Sequence, residues 1–197
     1  MIEHWRIPAE KPEVAPPDWV IPFLELDREW QAGKAQGQTS GSTGTPQQLD
    51  FTPSAVRSSA RATAQHFGLA SAAGAGVATW SALPAAGIGG RMMWWRARIL
   101  NWQLTQSRPA AAPVVPPLPA SDRYDFAVAT PQQAAHLSGT DALRHFRILL
   151  LGGGPIPRGL ETELVEVGKA ANCAIHVGFG MTETLTHIAT RRLGQDT

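Results

Sequence analysis

The amino-acid sequence predicts an α/β fold in which a mainly parallel sheet is flanked by helices. The clearest strand is residues 147–151, whose continuous apolar run is typical of parallel strands buried on both faces. A glycine-rich turn at residues 152–155 follows it, and the apolar spacing of residues 157–170 then predicts a helix. Because ligands of open parallel sheets bind beyond the carboxyl ends of the strands, this turn is a candidate ligand site.

Composition is that of an ordinary soluble globular protein with one large or two small domains. The chain has 197 residues, 43% of them hydrophobic, and a formal net charge of +1. It contains no basic stripe and no apolar run of about 18 residues, so we expect neither nucleic acid nor a membrane as a partner. The single cysteine, Cys173, cannot form an internal disulfide, which favours the cytoplasm, and its apolar neighbours predict a core thiol rather than a nucleophile.

Residues 1–38 are predicted to form an irregular arm with one docking helix. Five prolines exclude regular structure from most of the arm. Residues 21–33 are the exception, because apolar side chains recur there at helical spacing and Gly33 follows as a stop. These side chains are Trp19, Phe23, Leu26 and Trp30.

Further strands and helices are predicted from apolar runs and capping residues. Thr52 is a candidate N-cap for a helix that ends at Gly68. The other predicted strands are residues 49–51, 77–83, 102–107, 125–129 and 174–177, and the other predicted helices are residues 91–100, a short one from 131, and 141–146. Five prolines in residues 109–119 predict a rigid crossover that could divide two lobes.

The densest cluster of small polar residues is the segment 39–46, ahead of the helix that Thr52 begins. Its five side-chain hydroxyls and two glycines suit a tight loop that turns N–H and O–H groups toward an anion, typically a phosphate. A flexible linker is the alternative interpretation, although the strand and helix that follow would anchor the loop. Neither a Walker phosphate loop nor a hydrolase nucleophile elbow occurs in the sequence.

In its order of residues, this loop resembles the phosphate loop of the adenylate-forming superfamily, which includes acyl-CoA synthetases, luciferases and the adenylation domains of peptide synthetases. The family pattern Thr/Ser-Ser-Gly-Ser/Thr-Thr-Gly-x-Pro-Lys is matched until its last place, where Gln47 replaces the lysine. The resemblance implies that the loop binds ATP through Thr39, Ser40, Gly41, Ser42, Thr43 and Gly44. Because glutamine carries no positive charge, we expect a weaker contact to pyrophosphate unless Arg57 or Arg61 substitutes for the lysine.

Residues 178–184 are similar to the superfamily's Tyr-Gly-Met-Thr-Glu-Thr motif, with Phe179 in place of the tyrosine. By this resemblance Phe179 would stack on adenine, Thr182 would bond the α-phosphate and Glu183 would help to hold Mg²⁺. Thr182 and Glu183 are therefore the catalytic candidates, and Gly180 is a further nucleotide-binding candidate. Three residues match the family's Gly-Gly-x-Pro segment, which lines the adenine, namely Gly153, Gly154 and Pro155.

Residues 82–96 resemble the acyl-pocket segment in the form found in o-succinylbenzoate-CoA ligases of menaquinone biosynthesis, and residues 186–191 continue the likeness. Those enzymes bind an aromatic acid with a second carboxylate. An arginine at the mouth of an apolar pocket can hold a carboxylate with two parallel hydrogen bonds. The candidate substrate residues are Gly89, Arg91, Arg96 and His187, and which arginine serves stays open.

The resemblance implies an ATP-dependent acid–thiol ligase, which converts a carboxylate and ATP into an acyl-adenylate and pyrophosphate and then forms the acyl-CoA. ATP, Mg²⁺ and coenzyme A are the implied cofactors, and a small carboxylic acid is the implied substrate. Family members extend well beyond Thr197, so residues 1–197 are expected to be a truncated N-terminal adenylation domain. Without the mobile C-terminal domain, we expect little activity from this polypeptide alone; a homodimer is left open.

Three alternatives to an o-succinylbenzoate ligase stay open. The chain could be a degenerate, non-catalytic nucleotide-binding module, a ligase for another aryl or acyl acid, or an inert fragment that associates with itself through unmatched apolar faces. The adenylating function requires the segments 39–46 and 178–184 to converge on one side of the sheet.

Overall fold

The structure, a computed structural model, describes residues 4–7, 15–39, 45, 47–69, 76–118 and 123–195. Its strands are β1 His4–Ile7, β2 Gln36–Gln38, β3 Gln48–Asp50, β4 Ala78–Ser81, β5 Gln103–Ser107, β6 Phe126–Ala129, β7 Ile148–Leu151, β8 Ala174–Gly180 and β9 His187–Arg192. Its helices are α1 Ile21–Gln31, α2 Pro53–His66, α3 Ile88–Leu100, α4 Pro131–Ser138 and α5 Arg158–Ala170, with short 3₁₀ helices at Asp18–Val20, Asp141–His145 and Thr182–Thr184.

Seven of the described strands form one sheet in the order β1-β5-β4-β6-β7-β8-β9. The five middle strands are parallel, whereas β1 and β9 run antiparallel at the two edges. Strands β2 and β3 form a separate antiparallel pair. The predicted α/β fold with a mainly parallel sheet is confirmed. None of the described helices combines the length and the hydropathy needed to cross a bilayer.

The middle strands send alternate side chains into two hydrophobic layers, because successive residues of a strand point to opposite faces of its sheet. Phe126 and Val128 of β6 belong to one layer, which also contains buried side chains of α1, α2 and α3. Ala127 and Ala129 belong to the other layer, which contains buried side chains of α4 and α5. We call the two sides of the sheet the α3 face and the α5 face.

Several local predictions are confirmed by hydrogen bonds and burial. The Thr52 side chain accepts a hydrogen bond from the Ala55 amide at 3.2 Å and so caps α2. The apolar run of β7 is buried from Leu149 to Leu151. Cys173 is also buried, and burial raises the pKa of its thiol to about 12, as is typical of a packed and unreactive cysteine.

The N-terminal segment contains two strands where the sequence predicts an irregular arm. Strand β1 pairs antiparallel with β5 and so forms one edge of the sheet, and β2 leads into the β2–β3 pair. These strands have only four and three residues, which is too short for an apolar pattern to be recognised. The docking helix is confirmed as α1, which buries Phe23 and Leu26.

The proline-rich crossover has no helix or strand in its described part, as predicted. It does not divide two sheets, because β4 pairs with β5 before the crossover and with β6 after it. Hydrogen bonds attach the crossover to the α5 face. The Ser107 hydroxyl donates to Val114 O at 2.7 Å and accepts from Trp80 Nε1 at 2.9 Å, and the Tyr124 hydroxyl donates to Pro116 O at 2.8 Å.

Helix α3 begins at Ile88, three residues before the predicted start at Arg91. The sequence favours a loop there because Gly89 and Gly90 are poor helix formers. Tertiary packing overrides that preference. A Cβ atom at Gly90 would overlap Pro84 O, so the first turn of α3 lies directly on the backbone that follows β4. Glycine is required at this point by a close approach rather than by flexibility.

We therefore expect Gly90→Ala to lower the free energy of unfolding by about 1–3 kcal/mol, the usual cost of overpacking. Gly159→Ala is the matched control, because it makes the same change inside α5, where a Cβ atom would meet nothing within 4 Å. That control should be neutral or stabilising by up to about 1 kcal/mol. Urea unfolding of both variants measures the difference, and equal stabilities would show that the contact with Pro84 is not limiting.

Candidate functional site

A cleft of about 600 Å³ opens beyond the carboxyl ends of β7 and β8. It is lined by the turn after β7, the end of β8, the first turn of α5 and part of β9. Ligands of open parallel sheets bind at such crevices, because the turns after neighbouring strands diverge there. The cleft is therefore a candidate binding site on geometric grounds.

The cleft brings together the two segments that the sequence predicts to hold adenine. Gly153, Gly154 and Pro155 follow β7, and Phe179 and Gly180 end β8, and all five line the cleft. Phe179 is 67% exposed, so one side of its ring is available for stacking on a flat base. The φ angle of Gly153 is +88°, a backbone conformation that favours glycine at the turn.

Strand β8 runs to Gly180, whereas the sequence predicts a strand that ends at residue 177 and a turn from residue 178. The extension exists because β9 returns antiparallel beside it, with Phe179 opposite Ala189 and a register shift between Phe179 and Gly180. A Cβ atom at Gly180 would overlap Thr186 O. The glycine that suggests a turn in the sequence thus permits close strand pairing.

The turn itself begins after Met181 as the 3₁₀ helix Thr182–Thr184. The Thr184 side chain accepts a hydrogen bond from the Met181 amide at 3.0 Å and donates to Thr186 O at 2.7 Å. Thr184 therefore holds the turn closed. Glu183 is exposed, and Thr182 is partly exposed. The turn presents both predicted catalytic residues at the end of the sheet.

The base of the predicted phosphate loop lies against this turn. Strands β2 and β3 pair on either side of the loop, and Thr39 closes it: its amide donates to Gln47 O at 2.9 Å and its hydroxyl accepts from Gln47 N at 3.0 Å. A Cβ atom at Gly37 would lie 3.2 Å from Thr182 Cγ2. The predicted residues Ser40, Gly41, Ser42, Thr43 and Gly44 lie outside the described residues.

Arg91 links the same hairpin to the helices of the α3 face. Its Nη1 donates to Gln36 O at 2.9 Å and forms an ion pair with Glu29 Oε2 at 3.3 Å. Arg91 therefore supports β2, the strand that enters the predicted phosphate loop. Gly89 lies at the start of α3, where a Cβ atom would be 2.8 Å from Leu83 Cδ1. The substrate contacts predicted for Arg91 and Gly89 stay predictions.

Arg96 is a fully buried cation, with 1% of its surface exposed. Nη2 donates to Thr186 Oγ1 at 3.5 Å, Nη1 lies 3.8 Å from Met93 Sδ, and Nε has no hydrogen-bond partner within the described part of the chain. Burial lowers the pKa of the guanidinium to about 9. Among the described residues no carboxylate forms an ion pair with Arg96. A buried charge without an anionic partner is costly, and an anion bound beside Arg96 would offset that cost.

His187 lies beside Arg96 at the start of β9. Its Nδ1 is 3.4 Å from Thr186 Oγ1 and its Nε2 is 3.4 Å from Thr63 Oγ1 on α2. Burial, followed by the charges of Arg96 and His66, lowers the pKa of His187 to about 4. Arg96, Thr186 and His187 thus form a polar cluster on the α3 face.

Two charged residues of the cleft were not singled out by the sequence. Glu161 in the first turn of α5 and Arg191 on β9 both line it, and they form a bidentate ion pair at 2.7 and 3.1 Å. The hydrogen bonds from Arg191 hold the pKa of Glu161 below its usual value. The two residues are 30 positions apart and follow no local motif, so no sequence signal joins them.

Arg57 is a candidate substitute for the lysine that Gln47 replaces. In the structure its guanidinium carbon lies 4.9 Å from the centroid of the Trp30 ring, a cation–π contact between α2 and α1. This contact accounts for the position of Arg57 without a phosphate.

Acidification is expected to weaken the fold through His187. An unfolded histidine titrates near pH 6.5, and the folded pKa of His187 is about 4, so the unfolded chain binds more protons between these values. The stabilisation is complete above about pH 6.5 and is lost as the pH falls toward 4.

Urea unfolding between pH 7 and pH 4 should show this loss. His187→Gln should reduce the slope of the free energy of unfolding against pH. Burial also lowers the pKa of His176, so part of the slope should persist in the variant. A slope that His187→Gln leaves unchanged would contradict the assignment.

Known proteins are similar to this chain in sequence and in structure. The sequence profile of the AMP-binding enzyme family matches residues 38–197. A 2-succinylbenzoate–CoA ligase from Geobacillus sp. (strain WCH70) is 49% identical over 45 residues, which cover 23% of this chain and 8% of that protein.

Two solved structures share the fold. The acyl-CoA synthetase (AMP-forming)/AMP-acid ligase II-like protein from Dyadobacter fermentans DSM 18053 is 25% identical with a TM-score of 0.79, over 96% of this chain and 54% of its own. The O-succinylbenzoate coenzyme A synthetase (MenE) from Bacillus subtilis, in complex with ATP and magnesium ion, is 26% identical with a TM-score of 0.62, over 80% of this chain and 32% of its own.

The chain thus spans about half or less of the length of these relatives. The predicted family is confirmed by a profile match that covers most of the sequence, including residues 39–46 and 178–184. The profile match over residues 38–197 shows that this chain belongs to the AMP-binding enzyme family.

Proposed function

We propose that the chain is the nucleotide- and acid-binding part of an AMP-forming acid–CoA ligase. In this reaction a substrate carboxylate attacks the α-phosphorus of ATP and releases pyrophosphate, and the thiol of coenzyme A then displaces AMP from the acyl-adenylate. The observation that carries the proposal is the convergence of Gly153–Pro155 with Phe179 and Gly180 in one cleft, next to a turn that touches the base of the phosphate loop.

Adenine is proposed to bind in the cleft between the Phe179 ring and the glycine-rich turn after β7. The exposure of Phe179 supports stacking, since the ring face and not a phenolic hydroxyl makes the contact. Gly153 and Gly154 carry no side chain that would keep a flat base from the backbone. The ion pair of Glu161 with Arg191 also lines the cleft.

The phosphates are proposed to lie between the Thr182 turn and the loop of residues 39–44. Thr182 contributes a hydroxyl next to Gly37, and the loop contributes amide and hydroxyl donors. No covalent intermediate on the protein is needed, because fixed donors that hold ATP and acid in line can supply most of the catalysis. Gln47 donates hydrogen bonds without a charge, so pyrophosphate is held less strongly than by a lysine.

Glu183 fits the role of a Mg²⁺ ligand. The described residues contain no group of three or more His, Cys, Asp or Glu side chains that could hold a metal by themselves. Mg²⁺ bound to nucleotides usually takes one or two carboxylates, phosphate oxygens and waters, so one exposed glutamate beside the phosphate site suffices. When bound, the ion would neutralise charge on the phosphates.

The acid is proposed to be o-succinylbenzoate, with Arg96 as the partner of its second carboxylate. Arg96 is preferred over Arg91, because Arg91 already has Glu29 as an ion-pair partner and Arg96 has no carboxylate partner among the described residues. Gly89 and His187 are the other residues proposed to form the acid site, around Arg96 and not necessarily in contact with the acid. Two similar proteins are named as ligases of this acid, which supports the choice.

Coenzyme A as acceptor, a cytoplasmic location and a role in menaquinone biosynthesis are proposed on the same family resemblance. The second candidate function is a non-catalytic nucleotide-binding module, which the replacement of the family lysine by Gln47 favours. Calorimetry with ATP, Mg²⁺ and a non-hydrolysable acyl-sulfamoyl adenylate separates the two. Tighter binding of the acyl-adenylate mimic than of ATP supports the ligase, and binding of ATP alone supports the module.

Replacement of Phe179 tests the adenine site. Phe179→Ala should weaken AMP binding by about 1–3 kcal/mol, the usual value of stacking between a base and an aromatic ring. Phe179→Tyr keeps the ring and should bind AMP like the parent chain. Fluorescence-detected titration of both variants measures the effect, and equal affinities for the alanine and tyrosine variants would place adenine elsewhere.

Replacement of Arg96 tests the acid site. Arg96→Met should raise the free energy of unfolding by about 1 kcal/mol or more, because it removes a buried charge that has no ion-pair partner in the described chain. The same variant should bind a carboxylate-bearing acyl-adenylate mimic at least about tenfold more weakly.

The control is Arg98→Met on the same helix, where Arg98 forms an ion pair with Asp27 at 2.8 Å. It should lose at most about 1 kcal/mol of stability and bind the mimic normally. A destabilised Arg96→Met variant with unchanged affinity would assign Arg96 to the fold alone.

A further inference from the structure

The buried guanidinium of Arg96 is oriented by neutral groups, because no carboxylate among the described residues fixes it. Nη2 donates to Thr186 Oγ1 at 3.5 Å. Thr186 in turn contacts His187 Nδ1 at 3.4 Å, and His187 Nε2 contacts Thr63 Oγ1 at 3.4 Å. A continuous polar path therefore runs from α3 through the start of β9 to α2.

Hydrogen positions along this path follow from its two ends. The Thr63 hydroxyl donates to Ser59 O at 3.1 Å, so its oxygen accepts from His187 and Nε2 carries the hydrogen. The lowered pKa of His187 keeps the ring neutral at pH 7, so Nδ1 is an acceptor. Thr186 must then donate to Nδ1, and its lone pairs face Arg96. The donor and the acceptor of every hydrogen bond in the path are therefore assigned.

Packing holds the imidazole in this orientation. The Phe67 ring lies edge-on to it at a centroid distance of 6.2 Å. A Cβ atom at Gly178 would lie 3.2 Å from His187 Cβ, so β8 passes close to the start of the side chain. A histidine that has a polar partner at each ring nitrogen and a packed ring and Cβ can orient the group that it bonds.

We infer that His187 is a positioning residue, which sets the Thr186 hydroxyl and through it the direction of the Arg96 guanidinium, and so determines selectivity for acids with a second carboxylate. The inference rests on the proposed function, because it deepens the assignment of Arg96 to the acid. It differs from a direct contact between His187 and the acid. In the positioning role, Thr63 also contributes, because its hydroxyl holds Nε2 of His187.

The test uses two acyl-sulfamoyl adenylates of an aromatic acid that differ only in the presence of the second carboxylate. The measured quantity is the ratio of their affinities for the chain, with AMP as a check on the nucleotide site. Wild type should prefer the carboxylate-bearing probe. His187→Ala and Thr63→Val should each lower this ratio about tenfold, and His187→Gln, which keeps a neutral donor and acceptor, should retain most of it. AMP affinity should be unchanged in all three variants.

His136→Ala, at an exposed histidine of α4, is the control for the loss of an imidazole and should leave the ratio unchanged. A ratio that survives both His187→Ala and Thr63→Val would overturn the inference and leave the proposed function standing. A ratio that falls in His187→Ala but not in Thr63→Val would also overturn it, in favour of a direct contact with the acid. If wild type binds both probes equally while AMP still binds, the acid assignment of Arg96 fails, and the inference fails with it.

Discussion

The parallel pairing of β7 with β8 is the constraint on which the site depends. Leu151, the last residue of β7, lies opposite Val177, three residues before the end of β8, so the carboxyl ends of both strands lie at the same edge of the sheet. A helix is needed to return the chain between parallel strands, and α5 provides it while also supplying Glu161 to the cleft. Two glycine-rich segments that are far apart in sequence thereby become the two sides of one crevice.

The close approach of β9 completes this arrangement. Gly180 tolerates the backbone of Thr186 where any side chain would not fit, and the antiparallel return brings Thr186 and His187 back beside α2 and α3. The same hairpin therefore contributes to both binding regions. Phe179 and Arg191 line the cleft, whereas Thr186 contacts Arg96 and His187 contacts Thr186.

Sequence reasoning succeeded where a local signal was strong. The apolar run of β7, the Thr52 cap of α2 and the face of α1 each carry enough periodicity or capping chemistry to be recognised alone. The motif residues Gly153, Gly154, Pro155, Phe179 and Gly180 line one cleft, as a shared ligand requires, and the ligand itself stays a prediction.

The failures of sequence reasoning have a common physical cause, because tertiary contacts determine the structure at each of these places. Strand β1 exists because β5 offers it an edge, α3 begins early because Gly90 fits against Pro84, and β8 continues past residue 177 because β9 pairs with it. The ion pair of Glu161 with Arg191 joins residues that no motif connects. The isolation of Arg96 from any described carboxylate is likewise a property of packing, which a helical pattern of Met and Trp residues does not reveal.

The alternation of side chains along β8 has a consequence for how binding specificity is distributed. Ile175 packs in the layer of the α5 face. Phe179 lies an even number of residues further along the strand and lines the cleft together with Glu161. His176 points to the other side of the strand and packs edge-on to Phe67 of the α3 face. In the proposed function, recognition of the base and recognition of the acid are therefore carried by separate helical layers on opposite sides of a single strand. Substitutions on α2, on α3 and at the start of β9 would then change which acid is bound and leave the adenine side of the strand unaltered.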